Sequence, residues 1–469
     1  MLFNSFGFIF IFLPITLALY LFLNLKISKA YSLVFLALSS LFFYSWWNPS
    51  YLPIIIGSIA FNYFIKNVML RHYGVLKKYC LIIGITGNLG LLAYFKYGDF
   101  FIKNYNTVFD EDISLLNLAL PLAISFFTFQ QIAYLVDSYK CKRNSDNFID
   151  YTLFVSFFPQ LISGPIVHHK EMMPQFRKLD VFSINYKNIA EGLFIFSIGL
   201  FKKVVLADTF AVWSNAGFQN SGSLNLIEAW VTSLSFSFQI YFDFSGYTDM
   251  ALGSALLFNI RLPINFNSPY KAKSVREFWQ RWHITLSRFL KEYVYIPLGG
   301  NRAREFIVIT NLLIVFFLGG LWHGAGWTFI TWGLLHGVGV LSERFWKKLN
   351  IKLPPIIAWV LTFIFINVTM VVFRAQNSDE ALSVILSMAG YNPIPIHRGL
   401  NDWLLQVNGS AWTLVWIFFG FVITLGFSNS NQIVKCFNVS ISTVLWSGAA
   451  FVTAILSLNK VSEFLYFNF

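Results

Sequence analysis

Charge is scarce in this chain. Lys, Arg, Asp and Glu make up 12% of its 469 residues, against about 25% in a soluble globular protein. From Phe306 to Ser342 none of the four occurs. With 56% apolar residues and 54 phenylalanines, a water-soluble fold is excluded, because no single core could hide that much apolar surface. Cysteine is nearly absent: Cys80, Cys141 and Cys436 are scattered, which excludes a disulfide framework and a thiolate metal site. No basic residue precedes the first apolar run, Leu2 to Leu25, whereas Lys26 and Lys29 follow it. A cleavable signal wants its positive charge first, so this run is expected to be a span with the N-terminus outside the cytoplasm. The strict alternation of an outer-membrane barrel is missing. So is any internal repeat of the kind that marks many secondary transporters.

What is present is a series of apolar runs of about 17–25 residues, the length needed to cross hydrocarbon as helix. The expected fold is an all-α integral membrane protein with about eleven or twelve transmembrane helices plus re-entrant or interfacial segments. It is expected as one polytopic domain over 1–469, with N-terminal spans in 1–147, a catalytic core region in 148–342 and C-terminal spans in 343–469. Lys66, Arg71, Lys77 and Lys78, and again Lys140, Lys142 and Arg143, mark cytoplasmic loops. The fourth span ends near Phe95, and the stretch after it, with Asp99, Asp110, Glu111 and Asp112, fits the outside. These alternations follow the positive-inside rule and put both termini outside. The net charge of +12 then reflects loop bias and an anionic ligand, with no nucleic-acid partner implied.

Two stretches interrupt the pattern. SFFPQLISGPIVHH, 156 to 169, is short and broken by proline and glycine, so a re-entrant segment is expected, with His168 and His169 at the interface. The run from Ala229 to Ile260 contains YFDFSGYTDM. Asp243 and Asp249 are costly at membrane depth and are expected either to orient a histidine or to fix a broken helix. The most polar segment, Arg261 to Arg304, carries nine Lys/Arg against Glu277 and Glu292, and is expected on the cytoplasmic side.

Within the charge-free stretch, GGLWHGAGWTFITWGLLHGVG holds His323 and His336. At about 100° per residue they do not share a face of one straight helix, so they are not an i, i+4 metal pair, and no metal is expected. Glycines bracket His323, which is expected at a bend between two spans, with His336 one helix further on. A desolvated imidazole loses proton affinity, and neutral imidazole is the form a general base needs. Against this stands the plainer reading of a hydrogen-bonded packing histidine, stronger for His336 than for His323. A third histidine lies in REFWQRWHITLSRFLKEYVYIPLGGNR, 276 to 302. Read as one helix, it places Phe278, Trp282, Leu286 and Phe289 on a stripe, His283 on an apolar flank, and Glu277 four residues before Arg281 in the favourable order. This is either an interfacial amphipathic helix or one that tucks into a cytoplasmic cavity. In the second case it brings His283 to the site and leaves its arginines for an anionic cosubstrate, since guanidinium forks suit phosphate.

The blocks SFFPQLISGPIV, FDFSGYTDMALG, NFNSPYKAKSVREFWQRWHITLSRFLKEYVYIPLGGNR and GGLWHGAGWTFITWGLLHG resemble those of bacterial membrane-bound O-acyltransferases, the branch that O-acetylates alginate, peptidoglycan and other exopolysaccharides. The resemblance implies a ring of helices with a cytoplasmic and an outer funnel. It implies His323 and His283 as the catalytic pair, His323 taking a proton from the attacking hydroxyl and His283 orienting the thioester or supporting charge on its oxygen. His336, Trp282, Trp322 and Asp243 are expected as supporting residues, and Arg276, Arg281, Arg288 and Lys273 as the acyl-CoA contacts. It further implies acetyl-CoA as donor substrate with no permanently bound cofactor, membrane lipid as surroundings, the bacterial inner membrane as location, and a periplasmic SGNH-type transferase as partner, since no soluble transferase domain is legible here. The competing reading is a transporter or flippase of a polysaccharide export system.

Overall fold

The computed structural model describes residues 1–140, 146–177, 184–392, 399, 402–458 and 465. Lys142, Arg143 and Cys141 lie outside them. No strand occurs among the described residues. In chain order the helices are α1 (Gly7–Lys26), α2 (Lys29–Ser45), α3 (Pro49–Arg71), α4 (Gly74–Phe109), α5 (Ile124–Lys140), α6 (Phe148–Ser156), α7 (Phe158–Leu161), α8 (His169–Arg177), α9 (Tyr186–Phe201), α10 (Asp208–Gln219), α11 (Leu226–Leu257), α12 (Val275–Arg281), α13 (Ile284–Leu290), α14 (Glu305–His323), α15 (Trp327–Lys348), α16 (Pro355–Arg374), α17 (Ser378–Met388), α18 (Ala411–Gly426) and α19 (Ile441–Leu456). Five of them, α1, α3, α4, α14 and α16, are long and apolar enough to cross a membrane. The protein is an all-α membrane protein.

The chain divides into two compact units: Met1–Phe196 with Tyr247–Pro263, and Ser197–Gly246 with Ile264–Phe469. In the first, polar side chains at membrane depth pair with one another, as a medium without water demands. Asn62 and Asn88 exchange amide hydrogen bonds at 3.0 and 2.6 Å, tying α3 to α4. Tyr151 donates to Gln131, which donates to Ser58. Arg177 bridges Asp146 and Asp150, each at 3.0 Å.

Several expectations change. α4 runs on through Phe95 to Phe109, and the Asp99 carboxylate accepts the backbone N–H groups of Leu116 and Asn117. The 156–169 segment is broken as expected, but His168 and His169 are both buried, with His169 3.6 Å from Asp137. α11 is not interrupted: its 32 residues pass straight through YFDFSGYTDM. The reason lies in the second unit, where Lys203 meets Asp243 at 2.8 Å and Asp208 at 2.9 Å. A neutralised carboxylate no longer needs a helix break to reach water.

The second unit is organised by α14 and α15. They approach so closely that a Cβ on Gly320 would stand 2.3 Å from the Phe329 carbonyl oxygen, and one on Gly333 2.3 Å from that of Phe316. Small residues let membrane helices pack backbone to backbone. Gly333→Ala forces these backbones apart, and overpacking of this kind costs about 1–3 kcal/mol. The variant is expected to melt at a lower temperature in detergent and to lose activity; an unchanged melting temperature would show that the crossing tolerates separation.

Candidate active site

α14 ends at His323, and Gly324 and Gly326 are fully extended (φ −163° and −160°) before α15 begins at Trp327. The expected bend is therefore present, and it turns the His323 ring inward, 2% exposed. Its neighbours are aromatic. Trp322 and Trp332 lie at 5.0 Å between ring centres, Phe373 at 5.3 Å and His283 at 6.3 Å. The structure thus brings His323, His283, Trp322 and Trp332 together.

His283 arrives by a route the periodicity does not predict. The 276–302 segment is not one helix: α12 stops at Arg281, His283 takes φ +42° and ψ +52°, and α13 starts at Ile284. Left-handed backbone is unfavourable for a side chain bearing a Cβ, so something must hold it. The extended strip at 265–267 does so. Asn267 N–H donates to the Arg281 carbonyl at 2.8 Å, and Ile284 N–H donates to the Asn265 carbonyl at 3.0 Å. Asn265 Oδ1 accepts from Thr285 N–H at 3.2 Å and from Thr285 Oγ1 at 2.9 Å, and lies 3.2 Å from His283 Nδ1. The His283 side chain is fully buried and packs on the edges of Phe244 and Trp322. Trp282, also buried, stacks on Phe278 at 5.5 Å and against the edge of Phe266. It supports the corner from behind.

His336 sits one helix further on, as expected, with both ring nitrogens engaged. Trp279 Nε1–H donates to Nδ1 at 3.1 Å. Thr369 Oγ1 lies 3.1 Å from Nε2 and donates its own proton to the Ile366 carbonyl at 2.9 Å, so Nε2–H must donate to the threonine oxygen. This is a neutral imidazole with no nitrogen left for chemistry. Its ring contacts Trp332 at 4.8 Å and forms a wall of the site. Asp243 is engaged by Lys203 and by the backbone N–H of Leu465; no contact with a histidine brings it here. Among the described residues no cluster of three His, Cys, Asp or Glu side chains is arranged to hold a metal.

A cavity of about 520 Å³ has His323 and Trp332 in its lining. Leu286, Leu290, Val315 and Phe316 are among its apolar lining, and Arg276, Lys291, Arg344, Lys347 and Glu343 are its charged lining. Of the four basic residues expected for acyl-CoA, only Arg276 lines it. Arg281 is bound at 2.8 Å to Glu277, the i, i+4 pair foreseen in the sequence, and to the Asn267 carbonyl; neither Lys273 nor Arg288 is part of the lining. Lys291 and the α15 pair Arg344 and Lys347 line it without having been singled out in the sequence, where they stand far from Arg276 or outside the histidine blocks. The buried indole N–H of Trp332 has no acceptor among the described residues. A second cavity, of about 610 Å³, is lined by Arg374, Asn215, Gln239, Gln376, Asn377 and Glu380, among others. Arg374 directly follows Phe373, the residue packed on His323, so one residue step on α16 separates the two settings.

The arrangement can bring a polyanionic molecule with a slender reactive arm to a desolvated imidazole. Comparison with known proteins agrees. Residues 83–378, more than half of the chain, match the model of the MBOAT, membrane-bound O-acyltransferase family. A peptidoglycan O-acetyltransferase of Helicobacter pylori is 48% identical over 93% of this chain and 91% of its own length. A probable alginate O-acetylase of Pseudomonas aeruginosa is 37% identical over 77% and 70%. A teichoic acid D-alanyltransferase of Streptococcus thermophilus is 26% identical over 55% and 68%. Span composition, the bend at His323 and these likenesses have one reading: the chain is an acyltransferase of the membrane-bound O-acyltransferase family.

Proposed function

We propose that this protein takes an acetyl group from cytoplasmic acetyl-CoA and passes it across the bacterial inner membrane to a hydroxyl acceptor, for O-acetylation of peptidoglycan. The observation that carries the reading is one cavity lined both by Arg276, Lys291, Arg344 and Lys347 and by His323. Cationic side chains gather an anionic nucleotide by charge and hold its phosphates, while the apolar middle suits the pantetheine arm. His323 takes the proton of the attacking hydroxyl, the carbonyl carbon forms a C–O bond as its C–S bond breaks, and the proton passes to the departing CoA thiolate. The free N–H of Trp332 supplies a donor for the carbonyl oxygen. The acceptor approaches through the second cavity, whose amide side chains and Arg374 suit a polar hydroxyl carrier. With the basic segment 261–304 in the cytoplasm, both termini are periplasmic and the acyl group crosses without the CoA crossing. A periplasmic SGNH-type transferase completes delivery to the polymer. Peptidoglycan is preferred to alginate because the 48% identical relative carries that activity in its name.

Purified protein reconstituted in vesicles with labelled acetyl-CoA and the acceptor partner is expected to release CoA and transfer label. His323→Ala is expected to lower kcat about 10²–10⁴-fold, the worth of a positioned general base; wild-type transfer by that variant removes His323 from the mechanism. The double variant Arg276→Ala/Lys291→Ala is expected to raise KM for acetyl-CoA about tenfold, the equivalent of ~1.4 kcal/mol, with little change in kcat. Raising the salt concentration in the wild type is expected to act in the same direction. A KM insensitive to both would place CoA elsewhere.

A further inference from the structure

The chemistry above leaves open which way His283 moves a proton, and the answer rests on a residue outside the histidine blocks. Asn265 is fully buried. The orientation of its amide is fixed by its neighbours: the backbone N–H of Thr285 can only donate, so the atom facing it must be the amide oxygen, not the nitrogen. Thr285 Oγ1 points at the same oxygen at 2.9 Å. His283 Nδ1 lies 3.2 Å from it. A bare Nδ1 would set lone pair against lone pair, so Nδ1 must carry the ring proton. A neutral imidazole has one such proton, which leaves Nε2 bare. The same strip of chain makes the backbone bonds that hold His283 at φ +42°, so one segment sets both where the imidazole is and which nitrogen is basic. A side chain kept in left-handed backbone by surrounding bonds is a marker of a functional position.

We infer that Asn265 is a positioning residue that locks His283 in the Nδ1–H tautomer, so that His283 enters the reaction as a proton acceptor at Nε2 and not as a donor to the thioester oxygen. The inference rests on the acyl-transfer reading of the site and narrows it. In the resting protein the only roles open to His283 are to accept a hydrogen bond or a proton from the attacking hydroxyl or from a protonated neighbour. Support of negative charge on the carbonyl oxygen then falls to another donor. The contrast with His336 sharpens the point: there the opposite tautomer is fixed, with Nε2–H donating to Thr369 and Nδ1 accepting from Trp279. Two imidazoles of one unit are thus held in opposite tautomers by their neighbours.

The test reads the tautomer directly. Protein carrying ¹⁵N-labelled histidine, in bilayers, is examined by solid-state NMR, with the His283 signals assigned by their loss in His283→Gln. A protonated-type shift at Nδ1 and an unprotonated-type shift at Nε2 are expected. In Asn265→Leu the two tautomers are expected to mix, kcat for CoA release to fall at least tenfold, and KM for acetyl-CoA to stay within twofold. Asn265→Asp keeps an acceptor opposite Nδ1 and is expected to restore the tautomer and most of the lost kcat. A wild-type spectrum with the proton on Nε2 overturns the inference, whatever the activity. So does an Asn265→Leu variant that keeps the wild-type tautomer and kcat, or an Asn265→Asp variant as impaired as the leucine one in both readouts. If the wild type shows the expected tautomer but releases no CoA with acceptor and partner present, the acyl-transfer reading fails, and the tautomer lock remains as a structural feature of the fold.

Discussion

In hydrocarbon a polar side chain must find its partner inside the protein or go without one at a cost of several kcal/mol, and this constraint orders both units. It explains why Asn62 and Asn88 face each other and why Lys203 lies between two aspartates. It also explains why the imidazole of His336 is tied at both ends. A buried ion pair of this kind is weak evidence of net stability, because desolvation offsets most of the attraction. What Lys203 does is permit: with Asp243 neutralised, α11 runs unbroken past the site and sets Phe244 perpendicular to the His283 ring.

The same constraint separates a structural histidine from a chemical one. His336 has spent both nitrogens and can only be a wall. His283 sets Nδ1 against the Asn265 oxygen. A site for acyl transfer needs an imidazole whose tautomer is decided before substrate arrives, since reorganising hydrogen bonds during reaction is what preorganised sites avoid. Asn265 meets that need, and Trp282 fills the space behind so that the corner cannot relax.

Much of this was legible in residues alone, and the failures have a common cause. Apolar run length gives the helical membrane class, since lipid admits few other structures. The glycines around His323 give the bend, because Gly324 and Gly326 have no helical preference to overcome. Glu277 and Arg281 pair as their spacing requires. Where the reading failed, a partner distant in sequence had replaced a local rule. The Phe, Trp and Leu spacing of 276–302 fits one α-helix, and only the strip at 265–267, reaching forward across 18 residues from Asn265 to His283, breaks it. A carboxylate in an apolar run implies a break only if no cation reaches it, and Lys203, from an earlier helix, reaches Asp243. The cationic lining of the cavity gathers Arg276, Lys291 and the α15 pair Arg344 and Lys347 from three places in the chain, so no single segment announces it.

The close crossing at Gly320 and Gly333 decides what α14 and α15 present beside it. Because the backbones of α14 and α15 touch there, no side chain fits between them, and His323 and Trp332, in contact with each other, both line the first cavity. Beyond them stands Phe373, packed against both rings at 5.3 and 5.0 Å, and the next residue, Arg374, already belongs to the second cavity. Phe373 thus packs on the rings that line the first cavity while its chain neighbour lines the second, so one short stretch at the end of α16 serves both settings beside the crossing that two glycines allow.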